Sequence, residues 1–109
     1  TVGELADMIE KRLNRKPLLV GNPQQKLETI GWCTGAAQDL LPDAAMNNAS
    51  VFLSGEVSER TVHEAREYGI AYLASGHHAT ERYGINALGT LLAERFGIHH
   101  QFVEIDNPV

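Results

Sequence analysis

The sequence has 109 residues, 43% of them hydrophobic and 21% charged. That is the profile of one domain, 1–109, able to bury a core but too short for two. Its net charge of −5, with Lys and Arg scattered, excludes the basic stripe that grips duplex nucleic acid through phosphates. No apolar run reaches membrane-spanning length, so no membrane partner is expected.

Thr1-x-x-Glu4 is a capping box at a helix start. Leu5, Met8, Ile9 and Leu13 recur at helical spacing and predict one apolar face. This helix should stop near Asn14, where Lys11-Arg12 and Arg15-Lys16 suit the negative end of its dipole. Leu18-Leu19-Val20 reads as a short strand, Gly21-Asn22-Pro23 as a turn, and Leu27 to Cys33 as the next strand. With Asp39 as its cap, a helix over about 40–48 carries Pro42 in its first turn, where a missing N–H costs no intrahelical bond.

Val51-Phe52-Leu53 is a strand ending at Ser54-Gly55-Glu56. Ser58 caps a helix to about Tyr68, stopped by Gly69. Ile70 to Ala74 is a strand ending at Ser75-Gly76-His77. A long helix is expected from about Thr80 to Phe96, with Ile85, Leu88, Leu91, Leu92 and Phe96 facing inward. Gln101 to Ile105 is a final strand, and Asp106-Asn107-Pro108-Val109 closes the chain. This alternation predicts an α/β layered domain with a mostly parallel sheet. Ligands collect beyond the carboxyl ends of such strands. Three of those exits pair Gly with polar groups: Cys33-Thr34-Gly35, Ser54-Gly55-Glu56 and Ser75-Gly76-His77-His78.

His77 on the strand exit and Glu81 in the following first helical turn can bend toward one point. Imidazole with carboxylate suits Zn, Mn, Fe or a similar divalent ion. The plain alternative is a Glu favoured by the helix dipole beside a chance His pair. A tight site wants three or four protein groups. Glu56 is either a further participant, a solvated turn residue or a carboxylate bonded to backbone. His78, on the opposite side of an extended backbone, suits support of a ligand or substrate contact better than direct ligation. His63 reads as a surface residue and His99-His100 as a solvated strand edge. Cys33 is a nucleophile or, more simply, a small buried side chain. Thr34-Gly35 offers hydroxyl and N–H groups to a ligand or forms a plain turn. A single Cys cannot form an internal disulfide and suits a reducing cytoplasm. The start lacks both a signal-peptide pattern and an initiator Met, which points to a processed or excised chain.

Trp32-Cys33-Thr34-Gly35, Ser54-Gly55-Glu56-Val57-Ser58-Glu59, Gly76-His77-His78-Ala79-Thr80-Glu81-Arg82 and Asp106-Asn107-Pro108 resemble the C-terminal half of the Nif-three-like family. This is the YbgI-type group, catalogued as GTP cyclohydrolase I type 2 homologues. The similarity runs over nearly the whole chain, in order and with matching gaps. It implies that His77 and Glu81 are ligands of a dinuclear centre, two divalent ions per complete subunit. The family's other ligands, a His-His pair and an Asp, come from an N-terminal half absent from this sequence. Pro42 is a smaller departure of local effect. The second His of the motif varies in the family, consistent with a lesser role for His78.

The resemblance implies a metal-dependent hydrolase-like protein in the cytoplasm, with a small-molecule substrate of nucleotide or purine type. Glu56 and His78 are its candidates for proton transfer or substrate contact. It also implies a homo-oligomer, a toroidal hexamer in the complete protein. A non-catalytic metal-binding or protein-interaction module is the competing expectation.

Overall fold

Thr1 opens the first helix as its capping pattern predicts: the Glu4 N–H donates to Thr1 Oγ1 at 3.2 Å, and the Glu4 side chain accepts from the Thr1 backbone N–H. The computed structural model describes residues 1–108; Val109, part of the expected closing segment, lies outside the described residues. The helix, α1 (Val2–Leu13), ends at Asn14 in a left-handed cap. It buries Val2 and Leu5, whereas Met8, expected on the same face, is exposed.

The strands are β1 (Leu18–Val20), β2 (Ile30–Trp32), β3 (Val51–Ser54) and β4 (Ala71–Ala74), in the order β1-β4-β3-β2. β2 pairs parallel to β3 and β3 parallel to β4, while β1 closes the edge antiparallel to β4. The sheet is therefore mixed and mostly parallel, as the alternation of elements implies. β2 is shorter than the expected run from Leu27. The Ser50 hydroxyl accepts from the Glu28 and Thr29 N–H groups, so a side chain replaces a ladder partner there.

Helices cover both faces. α2 (Leu41–Met46) and α3 (Glu59–Tyr68) pack on Val20, Phe52, Ile70, Tyr72 and Ala74, and α1 packs on Val51, Ala71 and Leu73. The split follows the period-two alternation of β3 and β4. Phe52 and Tyr72 set their rings 5.9 Å apart at 50°. Burying each large apolar side chain contributes about 2 kcal/mol.

Ser58 caps α3 through the Thr61 N–H, and Gly69 ends it in the left-handed region, both as expected. Asp39 does not cap α2. It lies in a short 3-10 turn, Gln38–Leu40, and Leu40 occupies the cap without a side-chain bond. Pro42 does fall in the first turn of α2.

Three expectations fail toward the C-terminus. The last helix, α4 (His77–Phe96), starts three residues earlier than expected and buries only Ala79. Ile85, Leu88, Leu91, Leu92 and Phe96 are exposed rather than inward, with Phe96 at 65%. The apolar residues of α4 spread around the cylinder, and the sheet reaches only its first turns. No strand forms over 101–105, because no neighbouring strand offers backbone partners there. Among the described residues no helix is long and apolar enough to cross a membrane.

Candidate metal-binding half-site

The exits of β2, β3 and β4 are stitched together by backbone. The Gly55 N–H donates to the Gly35 carbonyl and the Gly76 N–H to the Gly55 carbonyl, each at 2.9 Å. Ser54 donates its hydroxyl to the Gly35 carbonyl at 3.1 Å and accepts from the Ala37 N–H at 3.2 Å. This row of three glycines continues the parallel ladder beyond the strands and sets the floor of the site. Gly35 needs its freedom: its φ is +69°, and a Cβ there would collide with Glu81 Oε1 and stand 3.2 Å from His77 Nε2.

α4 begins at this floor. His77 is its first residue, so His77 and Glu81 share a helix face at i, i+4 spacing rather than straddling a loop and a helix. Thr80 locks the turn: its hydroxyl donates to the Gly76 carbonyl at 2.9 Å and accepts from the Gly35 N–H at 3.2 Å.

His77 Nε2 lies 3.1 Å from Glu81 Oε2, and its Nδ1 lies 2.7 Å from Glu56 Oε1. The ring is thus flanked by a carboxylate at each nitrogen. A neutral imidazole carries one N–H and cannot satisfy both. The hydrogen bond to Glu56, reinforced by the nearby Glu81 charge, raises the His77 pKa above its ordinary value. A cation on Nε2, either a proton or a metal ion, resolves the opposition of two lone-pair donors.

Glu56 is itself anchored. The buried Tyr72 hydroxyl donates to the Glu56 backbone carbonyl at 2.5 Å, and burial pushes the Tyr72 phenol up to about 12. His78 turns elsewhere because its backbone is helical, not extended. Its Nε2 lies 3.1 Å from Glu104 Oε1, which also accepts from Arg82 at 2.9 Å. Hydrogen bonds from His78 and then Arg82 lower the Glu104 pKa.

The segment after α4 therefore folds back beside the His77–Glu81 pair. Together they enclose an open cavity of about 760 Å³ whose walls include His77, His78, Glu81, Phe102 and Ile105. Glu56 borders it as well. Among the described residues no group of three or more His, Cys, Asp or Glu is placed to hold a metal ion. The donor set is a convergent pair with a third carboxylate beside the imidazole, a chemistry that could serve as one end of a divalent-metal site with coordination positions left for further groups.

The other candidates fall where their plain readings put them. His63 is exposed, 3.9 Å from Glu59. Cys33 is half-buried against the core. His99 is exposed; His100 rests on α4 at Gly89, not on a strand edge. Arg82, Glu104 and Tyr72 were not singled out by sequence. Tyr72 alone carried a signal, since a phenol in a fully apolar strand must find a hydrogen-bond partner.

Comparison with known proteins bears on this arrangement. The profile of a family described as Duf34/NIF3 (NGG1p interacting factor 3) matches residues 1–108. A GTP cyclohydrolase 1 type 2 homolog of Allochromatium vinosum is 53% identical over 108 residues, covering 99% of this chain and 42% of that protein. A protein of the same description from Vibrio cholerae is also 53% identical, over 97% of this chain and 43% of its own length. Among solved structures, a ybgI protein described as of unknown function superposes with a TM-score of 0.93 at 46% identity, over 97% of this chain and 43% of that one. The chain thus spans less than half the length of these relatives.

Proposed function

The chain belongs to the Duf34/NIF3 family, and from that premise we propose that it supplies one part of a dinuclear metal site in a hydrolase-like protein. His77 and Glu81 are the ligands it contributes. The observation that carries the reading is the convergence of His77 Nε2 and Glu81 Oε2 at 3.1 Å while Nδ1 is held by Glu56. The remaining ligands come from the part of the protein this chain does not span. When bound, a pair of divalent ions lowers the pKa of a water and polarises the bond under attack. Zn, Mn and Fe all suit the donor set.

The relatives' description as GTP cyclohydrolase 1 type 2 homologs supports a nucleotide or purine-type substrate. The cavity beside His77 and Glu81, with Phe102 and Ile105 as an apolar wall and His78 at its edge, has room for such a ring. His78 is positioned for substrate contact. Assembly as a homohexamer belongs to the same proposal, supported by the family resemblance, and sedimentation of the complete protein checks it.

The test is elemental analysis and hydrolase assay of the complete protein with His77→Ala and Glu81→Ala. Metal content and activity should both fall while the circular dichroism spectrum stays native. Loss of neither defeats the proposal, and loss of metal without any detectable turnover in the parent protein favours a non-catalytic metal-binding module. This chain alone should hold no stoichiometric metal; a tight full complement in it would contradict the shared site.

A further inference from the structure

Glu56 reaches His77 from a different strand exit, and its backbone is fixed on several sides. Tyr72 donates to its carbonyl from the core at 2.5 Å. The preceding Gly55 is buried and bonded to both Gly35 and Gly76. A Cβ at Gly55 would stand 2.7 Å from His77 Cα and 2.6 Å from the Gly35 carbonyl oxygen, so β3 meets α4 at a separation only glycine permits. The Glu56 carboxylate consequently projects from a rigid mount directly at the imidazole, with Oε1 2.7 Å from Nδ1.

That geometry decides between the two neutral forms of the ring. With the proton on Nε2, the Nδ1 lone pair would oppose a carboxylate oxygen, and Nε2–H would donate to Glu81. Nε2, the nitrogen beside Glu81, could then not bind a metal ion. With the proton on Nδ1, Glu56 accepts it and the Nε2 lone pair faces the Glu81 carboxylate, open to a cation. We propose that Glu56 is the positioning residue of the site: it fixes the Nδ1–H form of His77 and aims Nε2 at the metal position. The proposal rests on the role of His77 as a ligand. It assigns Glu56 to His77 rather than to substrate, because the oxygen nearest the ring is already committed to Nδ1.

The experiment uses the complete protein. Zinc affinity is measured by competition with a chromophoric chelator. The His77 ring nitrogen shifts are read by NMR on metal-free protein, in alkaline buffer where the ring is neutral. Glu56→Ala should weaken zinc binding by about 10- to 100-fold and shift His77 toward the Nε2–H form. Glu56→Gln, whose amide oxygen still accepts from Nδ1–H, should keep the Nδ1–H form and recover most of the affinity. Should the Ala variant fail to fold, Glu56→Asp serves in its place, since a side chain one methylene shorter withdraws the acceptor. Unchanged affinity and ring form in a folded Ala or Asp variant overturn the proposal. If instead His77→Ala leaves zinc affinity untouched, the ligand role of His77 itself fails, an outcome distinct from a silent Glu56 beside a responsive His77.

Discussion

The backbone of Gly35 lies so close to Glu81 that a single added methyl group would displace the carboxylate from its place beside His77. Gly35 also sits at φ +69°, where an L-residue costs about 1–2 kcal/mol. Gly35→Ala should therefore lower stability by about that amount and, separately, move Glu81 off its position. Chemical denaturation measures the first effect. The second appears in the complete protein as weaker metal binding than the stability loss explains. A variant that loses stability but binds metal at parental affinity would show that Glu81 is no ligand or can shift without consequence.

Tyr72 links the core to the site and carries a pH signature. Its phenol is pushed up to about 12 by burial, against about 10 when unfolded. A raised folded value favours the neutral phenol. Its stabilisation is complete below about pH 10 and is lost as pH climbs toward about 12, worth about 2.7 kcal/mol when fully lost. Urea denaturation across that window should show stability falling more steeply in the parent chain than in Tyr72→Phe, which cannot ionise. At neutral pH the same substitution should cost about 1 kcal/mol by leaving the Glu56 carbonyl without its donor. Identical alkaline slopes for parent and variant would contradict this account.

Sequence specifies an element legibly where local chemistry decides it and poorly where distant packing does. The Thr1 and Ser58 caps, the Gly69 stop and the strand cores near Val51 and Ala71 are local, and sequence places them correctly. The three glycine-bearing exits were visible as motifs, but not the hydrogen-bonded row they form, since register between strands is a tertiary fact. The start of α4 was misplaced because Gly76 supplies no side-chain cap and the helix begins directly at His77. That shift changed the site: an expected loop-and-helix pair became two residues on one helical face. The inward face of α4 and the strand after it failed for one reason. Periodicity and apolarity report what a segment can pack against, and within this chain α4 runs past the sheet after its first turns while 101–105 meets no strand edge.

Glu104 holds the segment after α4 against His78 and Arg82. Those two hydrogen bonds depress its pKa, His78 contributing most. A depressed carboxylate gives stabilisation that is present above its unfolded pKa and lost as pH falls through the folded value. The tail should therefore loosen on acidification below the ordinary carboxylate range, while the sheet core is still folded. Backbone NMR of Phe102 to Asp106 would show increased motion there, and Glu104→Gln should produce the same loosening at neutral pH. A tail equally ordered in parent and variant at neutral pH would mean that Glu104 does not hold it.

α4 tests the difference between sequence apolarity and burial most directly. Leu88 and Leu91 are 49% and 56% exposed, so replacing them removes little buried area from this chain. Leu88→Lys with Leu91→Lys should leave its urea stability within about 0.5 kcal/mol per site, the range for exposed positions. The same pair should sharply reduce fluorescence enhancement of a dye that binds exposed apolar surface, because the helix carries a large share of that surface. A stability loss of several kcal/mol would mean that these leucines are packed in solution. Stability retained with undiminished dye binding would place the exposed apolar surface elsewhere, on Trp32, Met46 or the tail.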